Sequence, residues 1–122
     1  MKTILFIEDE SALQKTIGEI LNQEGYEVIS ALDGEVGLRL AKVKKPDLIL
    51  LDLILPKIHG FDVLRKLKQE PETKNTPVIV LTNLEGIEDV KEAIELGAQT
   101  YLVKTQYTLE EVIEKIKKAL GE

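Results

Sequence analysis

The chain has 122 residues, 22 acidic against 16 basic for a net charge of −6, and no cysteine. That length suits one domain with one core, and the lack of cysteine excludes a disulfide scaffold, a thiol nucleophile and a thiolate metal site. The acidic balance argues against nucleic acid or an anionic membrane surface as a direct partner; no apolar run reaches the roughly 18 residues of a membrane span; MKTILFIEDES turns acidic too early for a secretory leader; the expectation is a cytoplasmic protein.

In chain order, the apolar run Thr3–Ile7 reads as a strand that ends on Glu8, Asp9 and Glu10. Leu13, Ile17, Ile20 and Leu21 then recur at helical spacing as far as Glu24, and Gly25 is a plausible stop. A weaker strand signal, Tyr26–Ser30, precedes a helical segment Gly34–Lys44 that Pro46 closes. Leu48–Leu51 is the third strand and runs straight into Asp52. Phe61, Leu64 and Leu67 give a helix after Gly60, and Gln69–Thr76 (QEPETKNT) reads as the one loose segment.

Val78–Leu81 is the fourth strand, followed by Thr82 and Asn83. Ile87, Val90 and Ile94 form a stripe ending at Gly97, and Tyr101–Val103 is a short fifth strand ending at Lys104. Leu109, Val112, Ile113, Ile116 and Leu120 form the last stripe, with Thr108 and Glu111 spaced as a capping box.

The strand runs are continuous rather than alternating, as expected for strands buried on both faces of a parallel sheet. Five strand–helix units in succession predict an α/β fold with right-handed crossovers and helices on both faces. A single domain is expected over 1–122, with no output domain in these residues.

Ligands of open α/β sheets sit beyond the carboxyl ends of the strands. Neighbouring first and third strands would make Glu8, Asp9 and Asp52 converge there, with Lys104 arriving from the fifth. Three carboxylates in one crevice repel each other unless a proton, a divalent cation or Lys104 offsets them. Oxygen ligands without a nearby histidine or cysteine suit Mg²⁺ or Mn²⁺. A carboxylate, a cation, a hydroxyl and an ammonium are the parts needed to hold a phosphoryl group on an aspartate.

Glu8–Asp9, then Asp52 with Pro56 and Gly60 in DLILPKIHG, then Thr82, then Tyr101 and Lys104, each at a strand end, resemble the receiver domain of two-component response regulators. The resemblance covers the whole chain. It implies a doubly wound, three-layer sheet of order 2-1-3-4-5, the flavodoxin-like order of chemotaxis receivers. It implies that Asp52 accepts a phosphoryl group from a sensor histidine kinase or phosphotransfer protein. Asp9, Glu8, Asp52 and the backbone carbonyl of Ile54 would hold the metal. Lys104 would pair with Asp52 and then with the phosphoryl oxygens, Thr82 would bond the phosphoryl group, and Tyr101 would turn inward on activation. The face made by the fourth helix, fifth strand and fifth helix would meet a downstream effector, and a phosphorylation-dependent homodimer is compatible with it. No reaction on a separate substrate is implied, only acceptance and hydrolysis of the domain's own aspartyl-phosphate.

Some positions depart from the family pattern. Thr105 follows Lys104 where proline is usual, so the Lys104–Thr105 bond is expected to be trans and the following loop altered. Asn83 replaces a small residue. Ile54 and Leu84 are apolar where side chains flank the attacking water, which predicts slow self-dephosphorylation. Glu10 reads as a helix-start charge, and His59, the only histidine, as an exposed turn residue. The competing readings are weaker. A dehalogenase-type phosphatase would need an acid where Ile54 stands, and a flavin phosphate would be repelled by Glu8–Asp9–Glu10. The alternative that remains is a degenerate receiver acting only as a protein-interaction module.

Overall fold

A computed structural model describes all residues, Met1–Glu122. The chain alternates β1 (Thr3–Ile7), α1 (Ser11–Gln23), β2 (Glu27–Ala31), α2 (Gly34–Lys44), β3 (Leu48–Leu51), α3 (Gly60–Gln69), β4 (Val78–Thr82), α4 (Ile87–Leu96), β5 (Thr100–Val103) and α5 (Leu109–Ala119). All strands pair in parallel, in the order β2-β1-β3-β4-β5. The expected α/β fold and its strand order are both present.

Alternation along each strand divides the core in two. Ile4, Phe6, Leu48, Leu50, Ile79 and Leu81 face one layer, where Ile17 and Leu21 of α1 and Val112 and Ile116 of α5 cover them. Leu5, Ile7, Ile49, Leu51, Val78 and Val80 face the other, against Ala41 of α2, Leu64 of α3 and Ala93 of α4. β1, β3 and β4 are buried almost throughout, which is why their sequences lack polar alternation. β2 and β5 lie at the sheet edges and are only partly covered, unlike the two-sided burial expected of every strand. Tyr26, read as the start of β2, precedes it; its buried ring donates a hydrogen bond from its hydroxyl to Glu122.

Two further expectations need correction. Segment 70–76 is not loose. The Thr73 and Lys74 N–H groups donate to the Glu70 carbonyl, buried Thr73 donates its hydroxyl to the Leu67 carbonyl, and Lys68 Nζ donates to the carbonyls of Lys74 and Thr76. The expected stripe of α4 is largely outside: Ile87 is 82% and Ile94 46% exposed, and Ala93 is its one fully buried residue. Ala93, with the partly buried Leu96, sets α4 against the sheet, and Ile87 and Ile94 are left on the outer side.

The capping box of α5 forms as read: the Glu111 N–H donates to the Thr108 hydroxyl, and the Thr108 N–H donates to the Glu111 carboxylate. No peptide bond is cis, so Lys104–Thr105 is trans as expected, and a single 3-10 turn over Lys104–Gln106 leads toward α5.

Candidate functional site

Sheet register builds the site. Ile7 pairs with Leu51, so Glu8 and Asp52 leave neighbouring strands side by side. The Glu8 N–H donates to the Ala31 carbonyl at 2.9 Å and the Asp52 N–H to the Ile7 carbonyl at 3.0 Å. Ladder bonding thus continues into the site and both carboxylates stand on a rigid edge. Thr82 pairs with Val103, which brings the end of β4 next to Lys104.

The loop after β3 returns tightly. The Gly60 N–H donates to the Leu53 carbonyl at 3.1 Å, and a Cβ on Gly60 would lie 2.2 Å from the Leu53 Cα. No side chain fits there. His59 is exposed, as read, but also begins α3: its Nδ1 accepts the Phe61 N–H at 3.3 Å and its ring stacks on Phe61.

At the rim, Lys104 Nζ lies 2.7 Å from Glu8 Oε1 and 3.0 Å from Asp52 Oδ2, with Glu10 farther at 3.9 Å. Glu8 and Asp52 are buried and Asp9 is exposed. Asp52 Oδ1 accepts the Ile54 N–H at 3.2 Å, and Glu8 Oε2 accepts the Glu10 N–H at 3.0 Å. Glu10 stands just before α1 without a side-chain capping bond.

Burial pushes the Glu8 carboxyl up to about 7; the close ion pair with Lys104 opposes this and the Asp52 charge adds to it. Burial alone would lower the Lys104 ammonium, but the close contacts with the Glu8 and Asp52 carboxylates outweigh it and raise the pKa. Two buried carboxyl groups thus face a single ammonium, and Glu8 is the one whose charged form is disfavoured.

Carboxylate oxygens of Glu8, Asp9 and Asp52 all lie within 4.8 Å of one another, an arrangement able to hold a divalent metal ion. The donor set fits such an ion: all ligands are hard oxygens, and the buried Glu8 Oε1 has no well-directed hydrogen bond despite the adjacent ammonium.

Thr82 is fully buried and its Oγ1 accepts the Leu84 N–H at 3.4 Å. The Tyr101 hydroxyl donates to the Leu84 carbonyl at 2.8 Å, and burial, with the charges of Asp89 and Asp52, pushes it up to about 12. Leu84 is thus held at both its backbone groups. Ile54 is 51% exposed beside Asp52. Asn83 is exposed and lines, with Glu10, Lys104, Leu13, Tyr107 and Val112, a cavity of about 270 Å³ between α1 and α5.

One residue at the site escaped sequence reading. Gln14 of α1 is buried and its Nε2 donates to the carbonyls of Phe6 (2.8 Å), Ala31 (3.0 Å) and Glu8 (3.1 Å). The available signal was an amide on the core-facing line of α1, in phase with Ile17 and Leu21.

Residues 4–117 match the family described as the response regulator receiver domain. The chain is 38% identical over 120 residues to the DNA-binding dual master transcriptional regulator RpaA of Synechocystis, covering 98% of this chain and 49% of that protein. It thus spans about half the length of this curated relative. A CheY-like receiver domain protein from Methanospirillum hungatei superposes with a TM-score of 0.92 at 29% identity, over 99% of this chain and 94% of that one. The Mn(2+)-bound form of response regulator Rcp1 superposes with a TM-score of 0.78 at 33% identity, over 99% and 91% of the two chains.

Proposed function

The chain belongs to the response regulator receiver family of two-component signalling, and on that premise we propose that Asp52 is its phosphoacceptor. The observation that carries this reading is the Lys104 ammonium between Glu8 and Asp52, at 2.7 and 3.0 Å, in a buried crevice. An Asp52 carboxylate oxygen forms the O–P bond as the N–P bond of a donor phosphohistidine breaks, and the donor imidazole leaves with a proton. The donor is a sensor histidine kinase or phosphotransfer protein. Lys104 then pairs with the phosphoryl oxygens. Thr82 turns its hydroxyl from the Leu84 N–H toward the phosphoryl group.

Glu8, Asp9, Asp52 and the Ile54 carbonyl would hold Mg²⁺ or Mn²⁺. The similar response regulator Rcp1 has a Mn²⁺-bound form, which supports a cation of this kind. When bound, the cation neutralises charge on the transferring group. We assign the domain no separate substrate. Hydrolysis of its own aspartyl-phosphate is the only turnover proposed.

Freeing the Leu84 N–H loosens the segment that Tyr101 also holds, so the switch reaches α4. Ile87 and Ile94, exposed on α4, supply the apolar part of an effector-binding face completed by β5 and α5. A phosphorylated second copy is a candidate occupant of that face. No helix is long and apolar enough to cross a membrane, and a cytoplasmic setting agrees with the proposed donor.

Acetyl phosphate with Mg²⁺ is the test. Intact mass should rise by one phosphoryl group in the unsubstituted chain and not in Asp52→Asn. No gain in the unsubstituted chain, with either acetyl phosphate or a histidine-phosphorylated donor, would leave the degenerate, binding-only reading.

A further inference from the structure

We infer that Gln14 is a positioning residue that sets the Glu8–Asp9 loop for cation binding. This rests on the proposed role of Glu8, Asp9 and Asp52 as a divalent cation site. The carbonyl of Glu8 belongs to the peptide unit that joins Glu8 to Asp9. Holding that oxygen at 3.1 Å fixes the peptide plane, and with it the direction in which Asp9 leaves the strand. The same Nε2 binds the Phe6 carbonyl at 2.8 Å and the Ala31 carbonyl at 3.0 Å, so the loop is referenced to both β1 and β2. Asp9 itself is exposed. The positional restraint on it therefore comes through its backbone.

Packing alone does not account for this side chain. Gln14 Oε1 is buried without a hydrogen-bond partner, and such orphaned atoms are disfavoured unless the group acts elsewhere. Methionine or leucine would fill the same place without that oxygen. What they lack is the pair of N–H donors shared among three carbonyls at the end of two strands. Groups that orient metal ligands from behind typically change metal affinity by about 10- to 100-fold when removed.

The experiment titrates Mg²⁺ by calorimetry into the unsubstituted chain, Gln14→Met, Gln14→Asn and Ile17→Val, and measures metal-free unfolding midpoints for each. Ile17 is buried on the same face of α1, within the apolar core layer, and its side chain can make no hydrogen bond. Gln14→Met should weaken Mg²⁺ binding by about 10- to 100-fold, with Asp52 and Lys104 intact. Ile17→Val should change affinity by less than about twofold, whatever it does to the midpoint. Gln14→Asn keeps the amide but withdraws it by one methylene, and should bind Mg²⁺ more weakly than the unsubstituted chain; it decides the matter if Gln14→Met does not fold. Unchanged affinity in the folded Gln14 variants, or a loss matched by Ile17→Val, overturns the positioning role. Absence of Mg²⁺ binding by the unsubstituted chain instead overturns the cation-site reading beneath it.

Discussion

The Tyr101 hydroxyl donates a hydrogen bond to the Leu84 carbonyl at 2.8 Å, while the N–H of the same leucine donates to Thr82. One peptide segment thus links the phosphorylation rim to the edge strand. Tyr101→Phe removes the carbonyl restraint and keeps the ring. The expected loss of stability is about 1 kcal/mol, as for a single partly buried hydrogen bond, read by urea unfolding. Amide exchange around Glu85–Ile87 should quicken in the unphosphorylated protein, and phosphorylation should change it less than in the unsubstituted chain. Equal exchange in the two proteins would remove Tyr101 from the switch.

Glu8 makes the metal-free protein pH-sensitive. Its folded pKa of about 7 lies above the ordinary 4.5, because burial disfavours the charged form. The folded state therefore keeps a proton that the unfolded state releases. The resulting stability is fully present below about pH 4.5 and is lost as pH rises through about 7. Unfolding midpoints without metal should fall across that window, and Glu8→Gln should flatten the profile. Because Mg²⁺ favours the ionised cluster, it should bind more tightly at pH 8 than at pH 5.5; equal affinity at the two would contradict this assignment.

Lys104 has two opposed effects that one substitution separates. Lys104→Met removes a cation lying 2.7 Å from Glu8 and 3.0 Å from Asp52. A divalent ion no longer competes with it, so Mg²⁺ affinity should rise. Phosphoryl transfer from acetyl phosphate should slow by roughly 10²-fold, the typical loss when one charge-stabilising donor is removed. Calorimetry and intact-mass kinetics read the two separately. Weaker Mg²⁺ binding would assign Lys104 to the upkeep of the site rather than to the transferring group.

The legibility of the chain follows the range of each interaction. The capping box of Thr108 and Glu111 is local, three residues apart, and formed as read. The runs 48–51 and 78–81 are buried on both faces, as their unbroken apolar sequence implies, whereas the same expectation fails for the edge strands β2 and β5, because composition does not mark a strand's place in the sheet. Convergence of Glu8, Asp52 and Lys104 could be anticipated because a parallel sheet brings all its strand ends to one rim. Gln14 was missed because its partners, Phe6, Glu8 and Ala31, are carbonyls, which leave no trace in side-chain patterns. Spacing alone also misjudged α4: periodicity marks a stripe but not its rotation, and Ala93 rather than Ile87 or Ile94 turned out to face the sheet. Thr73 and Lys68 escaped for the same reason as Gln14, since a polar-looking sequence concealed a loop pinned by backbone carbonyls.

Slow hydrolysis of the aspartyl-phosphate is expected from the apolar side chains around Asp52. Ile54 is 51% exposed beside Asp52 and Leu84 is half-buried beyond Thr82. Neither side chain can accept a proton from, or orient, an attacking water. The phosphorylated domain should therefore keep its phosphoryl group well beyond seconds in Mg²⁺ buffer, as followed by intact mass. Ile54→Asn supplies a water-binding amide at an exposed position and should shorten the lifetime, by a factor approaching about 10² if the water becomes well aligned. Leu84→Glu adds a proton acceptor and should act in the same direction. Neither change touches the Lys104 pairs, so the rate of phosphoryl uptake should hold. Loss of label within seconds in the unsubstituted chain, or an unaltered lifetime in both variants, would show that these two side chains do not limit the access of water to Asp52.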